Sequence, residues 1–287
     1  MVRRTTSALI LMMAAGVSAA SEPPVIAGGF SIPESAIHDE SRDLYIVVSM
    51  GDGTAGHVSL LNPDGTTKES RWLVHGRDGV ELVRPLGSEI HGGILYVADT
   101  PFVRSFGLAS GKSIRSVRIP DTTLLNDLAV AADGTVYVTD TGNRAKALPG
   151  AIYRIAPDGA VTPFATGADV ANPNGIAIDK AGNIANVAMA STLIFIRSPE
   201  GRLLSTIDLG HDGNDGIAVL ENGAFVVSSL SNNLLLHIGA DGQVKPLAEV
   251  ERPASIGLDA KRRLIIVPQL RNNSVTLVPI AGVEANP

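Results

Sequence analysis

One phrase recurs six times along the chain: a short apolar strand, a turn of the Asp-Gly type, and a second strand of the form xYVxD. The clearest copies are NDLAVAADGTVYVTDT at 126–141 and NGIAIDKAGNIANVAMA at 174–190. The six phrases open at Glu34, Leu86, Asn126, Asn174, Asp215 and Ala254. A period of roughly forty to fifty residues is typical of repeat proteins, in which every unit is one copy of the same supersecondary element.

The segments between the phrases add further strands to each repeat. A third strand follows every phrase, and a fourth follows most of them, as in SIRSVRI and LLSTIDL. Four short strands per repeat predict an all-β, six-bladed β-propeller with four-stranded blades. The sixth repeat ends after its third strand, near Ile280. We expect the N-terminal segment PPVIAGG, at 23–29, to supply the missing strand and close the ring, which removes open sheet edges.

The N-terminus has the pattern of a secretory signal. Arg3 and Arg4 precede the apolar run SALILMMAAGV, and the small residues VSAA follow it up to Ala20. Residues 1–20 are therefore predicted to be a signal peptide, and 21–287 a single propeller domain. The apolar run is too short to span a bilayer comfortably, and no later stretch is longer, so we expect no membrane span after cleavage. A periplasmic or secreted bacterial protein fits this pattern best.

Composition excludes several classes of function. The 287-residue chain has a formal net charge of -6 at pH 7 and no basic cluster, so nucleic acid is not an expected partner. It contains no cysteine, which excludes disulfides, thiol catalysis and Cys-ligated zinc. The G-x-S-x-G motif of many serine hydrolases is also absent from the sequence. The oligomeric state cannot be read from the sequence.

The residues that open the six phrases share a property that points to chemistry. In a propeller, the innermost strands line a central channel, and equivalent positions form one layer around the axis. Four of the six positions carry side-chain oxygens, in Glu34, Asn126, Asn174 and Asp215. Two carboxylates and two amides make an all-oxygen set, which Ca²⁺ prefers, and oxygen sites also accept Zn²⁺, Mn²⁺ or Mg²⁺. The pattern predicts a divalent-cation site.

A purely structural interpretation of the same four residues stays open. Asn174 and Asp215 each precede a glycine, and Asn or Asp before Gly is an ordinary turn signal. Asn126 could cap a turn, and Glu34 could be a solvated surface charge. The metal site is favoured because all four residues occupy one register, and a slip of one residue in the alignment would weaken it.

The phrases IPESAIHDE, LNDLAVAADGTVYVTDTG, PNGIAID and NDGIAV resemble motifs of a known family in order and spacing. This is the family of senescence marker protein (regucalcin), gluconolactonase and luciferin-regenerating enzyme, and the resemblance covers nearly the whole mature chain. It implies a six-bladed propeller with a divalent cation, often Ca²⁺, at the mouth of the channel. It also implies that Glu34, Asn174 and Asp215 are the core metal ligands, and that Asn126 contacts metal or substrate.

The resemblance further implies metal-dependent hydrolysis of a small-molecule lactone or ester. The cation would polarise the carbonyl, and Asp215 would act as general base, with Asn126 in the same catalytic site. The sequence departs from the family pattern at one place. Many lactonase members carry an Arg just upstream of the position of Asn126, where it helps to hold a sugar acid, but this chain has Leu124 and Leu125. The departure concerns the substrate more than the metal.

Two other functions remain open from the sequence alone. A non-catalytic calcium-binding propeller could serve as a binding or interaction module, and Leu86 and Ala254, which offer no oxygen ligand, are compatible with it. A lyase or synthase resembling strictosidine synthase would use a related six-bladed propeller, but such enzymes act on plant alkaloids.

Overall fold

A computed structural model of the chain describes residues 25–27, 29–52 and 55–280. These residues form six four-stranded sheets, and neighbouring strands within each sheet run antiparallel. The described helices are two short 3₁₀ turns, Arg144–Lys146 and Ala168–Val170, and none of them is long and apolar enough to cross a membrane. The predicted six-bladed β-propeller with four-stranded blades is confirmed. The predicted signal peptide lies outside the described residues.

The first three blades follow the chain from the central channel outward. Blade 1 comprises β2 (Pro33–Asp39), β3 (Leu44–Ser49), β4 (His57–Leu61) and β5 (Thr67–Val74). Blade 2 comprises β6 (Pro85–His91), β7 (Ile94–Asp99), β8 (Phe102–Gly107) and β9 (Ser113–Arg118). Blade 3 comprises β10 (Leu125–Val130), β11 (Val136–Asp140), β12 (Ala151–Ile155) and β13 (Val161–Thr166).

The last three blades repeat this order, except that blade 6 takes its outer strand from the N-terminus. Blade 4 comprises β14 (Pro173–Ile178), β15 (Ile184–Ala188), β16 (Leu193–Arg197) and β17 (Leu203–Asp208). Blade 5 comprises β18 (Asn214–Val219), β19 (Phe225–Ser229), β20 (Leu234–Ile238) and β21 (Val244–Glu249). Blade 6 comprises β22 (Gly257–Asp259), β23 (Leu264–Gln269), β24 (Ser274–Pro279) and β1 (Val25–Ala27).

The ring is closed by the N-terminal strand, as the sequence predicted. Strand β1 pairs antiparallel with β24, with Val25 opposite Thr276. A second set of contacts joins blades 1 and 6, because Arg262 forms an ion pair of 2.7 Å with Asp43. Strands from both ends of the described chain therefore complete blade 6, and blade 6 packs against blade 1.

The hydrophobic core lies between the blades, because their inner strands are buried on both faces. Alternate residues of β3 point to opposite sides. Ile46 packs in a cluster with Val97 of blade 2, whereas Tyr45 packs in a cluster with Ile266 of blade 6. Because each face of β3 packs against a neighbouring blade, every residue of the strand is buried, including the polar Ser49. Packing of blade on blade therefore sets the positions of the innermost strands.

The innermost strands of neighbouring blades approach one another closely. A Cβ atom added to Gly175 of β14 would lie 2.3 Å from the backbone oxygen of Asp215, and one added to Gly216 would lie 2.6 Å from the backbone nitrogen of Ile256. Such distances are far below van der Waals contact, so these positions require glycine. Close approach brings the residues at the strand entrances into one compact layer around the channel.

Candidate functional site

The four predicted site residues occupy one structural position in four blades. Glu34, Asn126, Asn174 and Asp215 are each the second residue of their innermost strand. Each lies where the pairing register shifts, as between Leu125 and Leu128 of β10. A bulge bends the strand and redirects its side chains, which is a common way of presenting functional groups. The alignment of these four residues across the repeats therefore agrees with their positions in the structure.

Blade 6 differs from the sequence-based expectation that its innermost strand opens at Ala254. Strand β22 begins later, at Gly257. Ser255 pairs instead with Ser35 of blade 1 through an isolated parallel bridge, and its N–H donates a 2.9 Å hydrogen bond to the carbonyl oxygen of Glu34. The backbone before β22 also stays paired with β23 of its own blade, because Pro253 bridges Gln269 and the N–H of Ala254 donates a 3.0 Å hydrogen bond to the carbonyl oxygen of Pro268.

Three of the predicted site residues interact directly or electrostatically. All four are buried, with Asn174 3% and Asp215 4% exposed. The amide of Asn174 forms a hydrogen bond with the Asp215 carboxyl, and the Glu34 carboxyl is close enough to Asp215 for their charges to repel. The side chain of Asn126 is held by a different contact, because its Nδ2 donates a 3.0 Å hydrogen bond to Oγ1 of Thr141.

Burial makes negative charge unfavourable in this layer. Desolvation raises the pKa of Glu34 well above its usual range, repulsion by Asp215 and then Asp127 adds to the increase, and Arg84 opposes it. Desolvation also raises the pKa of Asp215, while Arg252 and the hydrogen bond from Asn174 oppose the increase. The mutually repelling carboxyls of Glu34 and Asp215 would be stabilised in their charged form by a cation bound beside them.

The unpaired atoms of the layer fit a hard cation. Four side-chain oxygens are buried without a hydrogen-bond partner among the described residues: Glu34 Oε2, Asn126 Oδ1, Asn174 Oδ1 and Asp215 Oδ1. Buried oxygens normally accept a hydrogen bond, so four unpaired acceptors at one structural position need an explanation. An all-oxygen set of carboxylates and amide carbonyls is the donor type that Ca²⁺ binds.

The proposed set of four oxygen ligands includes two amide side chains, which it needs as much as its two carboxylates. Within the part of the chain that the structure describes, no group of three or more His, Cys, Asp or Glu residues is arranged to hold a metal ion. Any ion at this layer would therefore need the carbonyl oxygens of Asn126 and Asn174 beside the carboxylates of Glu34 and Asp215. This donor set disfavours ions that require nitrogen or sulfur ligands.

The structure adds Asp127, which the sequence analysis did not select as a site residue. Asp127 occupies the position that Gly175 and Gly216 hold in blades 4 and 5. Its Oδ2 accepts a 3.1 Å hydrogen bond from the backbone N–H of Ile176, and burial raises its pKa to about 8. The Asn-Asp pair visible at 126–127 was a signal for this residue, but its burial between blades depends on the tertiary structure.

The layer formed by Glu34, Asn126, Asn174 and Asp215 is called the oxygen layer. A cavity of about 590 Å³ lies in the channel beside this layer, toward the C-terminal ends of the innermost strands. Ser88, Glu89 and Asp127 contribute polar groups to its wall, and isoleucines such as Ile176 and Ile217 contribute apolar ones. Desolvation raises the pKa of Glu89 to about 7. None of the four oxygen-layer residues lines this cavity.

His38 lies at the lower end of the channel and is held by neighbours. Its Nε2 is 3.0 Å from Oδ1 of Asp43, and its ring packs edge-on against Tyr45. These contacts agree with a structural role for this histidine, whose side chain is buried.

Comparison with known proteins identifies the family. Residues 32–258 match the model of the SMP-30/gluconolactonase/LRE-like region. No curated protein sequence gives a significant match to the chain. Among solved structures, a gluconolactonase from Xanthomonas campestris superposes with a TM-score of 0.70 at 16% identity, covering 89% of this chain and 88% of that chain.

A second similar structure has a different activity. Virginiamycin B lyase from Staphylococcus aureus superposes with a TM-score of 0.66 at 14% identity, covering 89% of this chain and 97% of that chain. At such identities the structural likeness shows the fold alone, whereas the sequence model spans most of this chain. The chain belongs to the SMP-30/gluconolactonase/LRE-like family.

Proposed function

We propose that this protein is a divalent-metal-dependent hydrolase of lactones, with Ca²⁺ as its preferred ion. The observation that carries the proposal is the set of four buried, unpaired oxygens on Glu34, Asn126, Asn174 and Asp215. Membership in a family that includes gluconolactonases supports the same reaction class. Export to the periplasm or beyond the cell remains part of the proposal, on the strength of residues 1–20.

The four oxygen-bearing residues would hold the ion. A bound Ca²⁺ supplies Lewis-acid polarisation of a carbonyl and a template that orients the substrate. The amide nitrogen of Asn126 is occupied by its hydrogen bond to Thr141, which fixes the amide and leaves its Oδ1 available as a ligand. Thr141 in turn donates a 2.8 Å hydrogen bond to the carbonyl oxygen of Pro173, so the positions of blades 3 and 4 are coupled.

Asp215 would act as general base toward the attacking water. Its Oδ1 has no partner among the described residues, and the amide of Asn174 holds its carboxyl in place. A positioned base typically contributes about 10²–10⁴-fold to the rate. The amide of Asn174 and the charge of Arg252 both favour the carboxylate form that a base requires.

The test is a lactone panel measured with the metal present and after chelation. We expect hydrolysis that is lost in chelator and restored by Ca²⁺, together with a loss of about 10²-fold or more in kcat for Asp215→Asn. Glu69→Gln, an exposed carboxylate on outer strand β5, is the matched control and should keep full activity. Chelator-resistant hydrolysis that survives Asp215→Asn would overturn the proposal.

The panel also separates the proposed enzyme from a non-catalytic propeller. Leu86 and Ala254 leave two of the six positions at the strand entrances without an oxygen. Ca²⁺ that raises the melting temperature of the wild-type chain, with no turnover of any lactone, would assign the site to structural metal binding instead.

A further inference from the structure

Two arginines stand at the strand entrances of the two blades that lack an oxygen ligand. Arg84 lies two residues before Leu86 in blade 2, and Arg252 lies two residues before Ala254 in blade 6. These blades flank blade 1, which carries Glu34. The arginines therefore lie on either side of Glu34, at the channel end where the oxygen layer is found.

The backbone of Arg84 is held by a carboxylate at the end of the second strand of its blade. Its N–H donates a 2.7 Å hydrogen bond to Oδ1 of Asp99, and the N–H of Val83 donates one of 3.2 Å to Oδ2. In blade 3, Asp140 binds the N–H groups of Thr123 and Leu124 in the same way. Arg84 is thus the blade 2 counterpart of Leu124 in blade 3.

Arg252 is held from the neighbouring blade in an uncommon conformation. Its φ is 49°, in the left-handed region that residues other than glycine rarely adopt. Its N–H donates a 2.9 Å hydrogen bond to Oδ1 of Asn233, and its carbonyl oxygen accepts one of 3.3 Å from the N–H of Leu270. Two hydrogen bonds from two different blades fix the place from which the side chain extends.

Both guanidinium groups are exposed and available for a ligand. Neither forms a hydrogen bond or ion pair with any residue inside the described ranges, whereas Arg104 pairs with Asp99 and Glu81. Each nevertheless acts on the site electrostatically: Arg84 lowers the pKa of Glu34, and Arg252 lowers that of Asp215. Two exposed positive charges thus flank the proposed reaction centre.

We propose that Arg84 and Arg252 form an anion-binding pair, and that the substrate is a lactone that carries an oxyanion such as a carboxylate or phosphate. This inference rests on the proposed lactonase function and specifies its substrate class. A guanidinium presents five N–H donors in a planar fork that matches a carboxylate or phosphate. Anion recognition would then come from blades 2 and 6, because blade 3 has the uncharged Leu124 at the position of Arg84.

The test compares matched substrates on matched variants. The substrates are two pairs, γ-butyrolactone with its ring-carboxylate derivative and gluconolactone with its phosphorylated form, each measured with saturating Ca²⁺. We expect the wild type to prefer one of the charged lactones by at least about tenfold in kcat/KM, a usual size for a charge-assisted contact. The preferred lactone distinguishes carboxylate from phosphate recognition.

The variants separate anion binding from catalysis. The double variant Arg84→Gln with Arg252→Gln should lose that preference, because its kcat/KM should fall at least about tenfold further for the charged lactone than for γ-butyrolactone. The change measured with γ-butyrolactone reports the separate electrostatic effect of the two arginines on Glu34 and Asp215. The single variant Arg84→Lys keeps the positive charge, so it should retain part of the preference for the charged lactone that the double variant loses. Arg118→Gln, an exposed arginine on outer strand β9, is the matched control and should behave as wild type. Circular dichroism and melting temperature verify that each variant is folded.

The outcomes distinguish this inference from the proposed function. Turnover of γ-butyrolactone with no preference for a charged lactone, or a preference that survives the double variant, would overturn the anion pair and leave the lactonase standing. If no lactone is hydrolysed, the lactonase proposal fails. Calorimetric binding of glutarate and of inorganic phosphate to the Ca²⁺-loaded protein then decides the anion pair, because equal affinity in wild type and double variant would refute it.

Discussion

The hydroxyl of Thr139 donates a 2.7 Å hydrogen bond to the backbone carbonyl oxygen of Asn174 and accepts one of 2.9 Å from the N–H of Asp127. A side chain on the second strand of blade 3 thus joins the oxygen-layer positions of blades 3 and 4. Ser228 does the same between blades 5 and 6, because it binds the N–H of Gly216 and the carbonyl oxygen of Ala254, each at 2.7 Å. These buried hydroxyls set the spacing of the residues at the strand entrances.

Removing the Thr139 hydroxyl should weaken metal binding. Thr139→Val keeps the shape of the side chain but leaves two buried backbone groups unpaired, so we expect a loss of about 1–3 kcal/mol in the free energy of unfolding. Groups that orient metal ligands typically contribute about 10–100-fold to metal affinity. Calorimetric Ca²⁺ titration measures this effect. Thr139→Ser, which retains the hydroxyl, should bind like wild type, and an unchanged affinity in Thr139→Val would contradict the spacing role.

Replacing Asp215 by Asn should separate stability from metal binding. The variant loses the repulsion between Asp215 and Glu34, so we expect the metal-free protein to melt at a higher temperature than wild type at pH 8. Wild type should gain about 2.7 kcal/mol when Ca²⁺ is present at a hundred times its dissociation constant, and the variant should gain little. Thermal melts with chelator and with Ca²⁺ measure both effects. Equal stabilisation of the two proteins by Ca²⁺ would place the ion elsewhere.

Glu89 should make the metal-free protein less stable as the pH rises. Its folded pKa of about 7 lies above the usual value for glutamate, so folding favours the protonated form. The resulting stability is fully present at pH values below the unfolded pKa of about 4.3 and is lost as the pH rises through the folded pKa. Glu89→Gln removes this contribution.

Urea unfolding in chelator between pH 5 and pH 8 checks this prediction. Wild type should lose more stability than Glu89→Gln over that interval, and Asp127, whose pKa is raised to about 8, accounts for part of the remaining slope. Parallel curves for the two proteins would show that Glu89 is charged throughout the range.

Shortening the N-terminus should expose the edge of blade 6. A chain that begins at residue 29 lacks β1, which pairs with β24, so its outer edge would offer unpaired backbone groups to other molecules. We expect a lower melting temperature and concentration-dependent aggregation, measured by light scattering. A chain that begins at residue 21 keeps β1 and should remain monodisperse to the same degree as the untruncated protein. Identical behaviour of the two truncated chains would argue against the closing role of β1.

The sequence by itself determined the architecture and the candidate oxygen layer. Turn residues and strand alternation are local properties, and their repetition specifies one blade six times. Glu34, Asn126, Asn174 and Asp215 could be aligned because each is the second residue of its innermost strand. Their side-chain types, all bearing oxygen, are sufficient to indicate a hard cation.

Only the tertiary structure decided how neighbouring blades meet. The buried environment of Asp127, the hydrogen bonds of Thr139 to blade 4 and the late start of β22 all depend on contacts between residues far apart in the chain. The same holds for the effects of Arg84 on Glu34 and of Arg252 on Asp215, because they depend on distances in space that a sequence does not report. Periodicity describes one blade, whereas the site is built from the surfaces at which six blades converge.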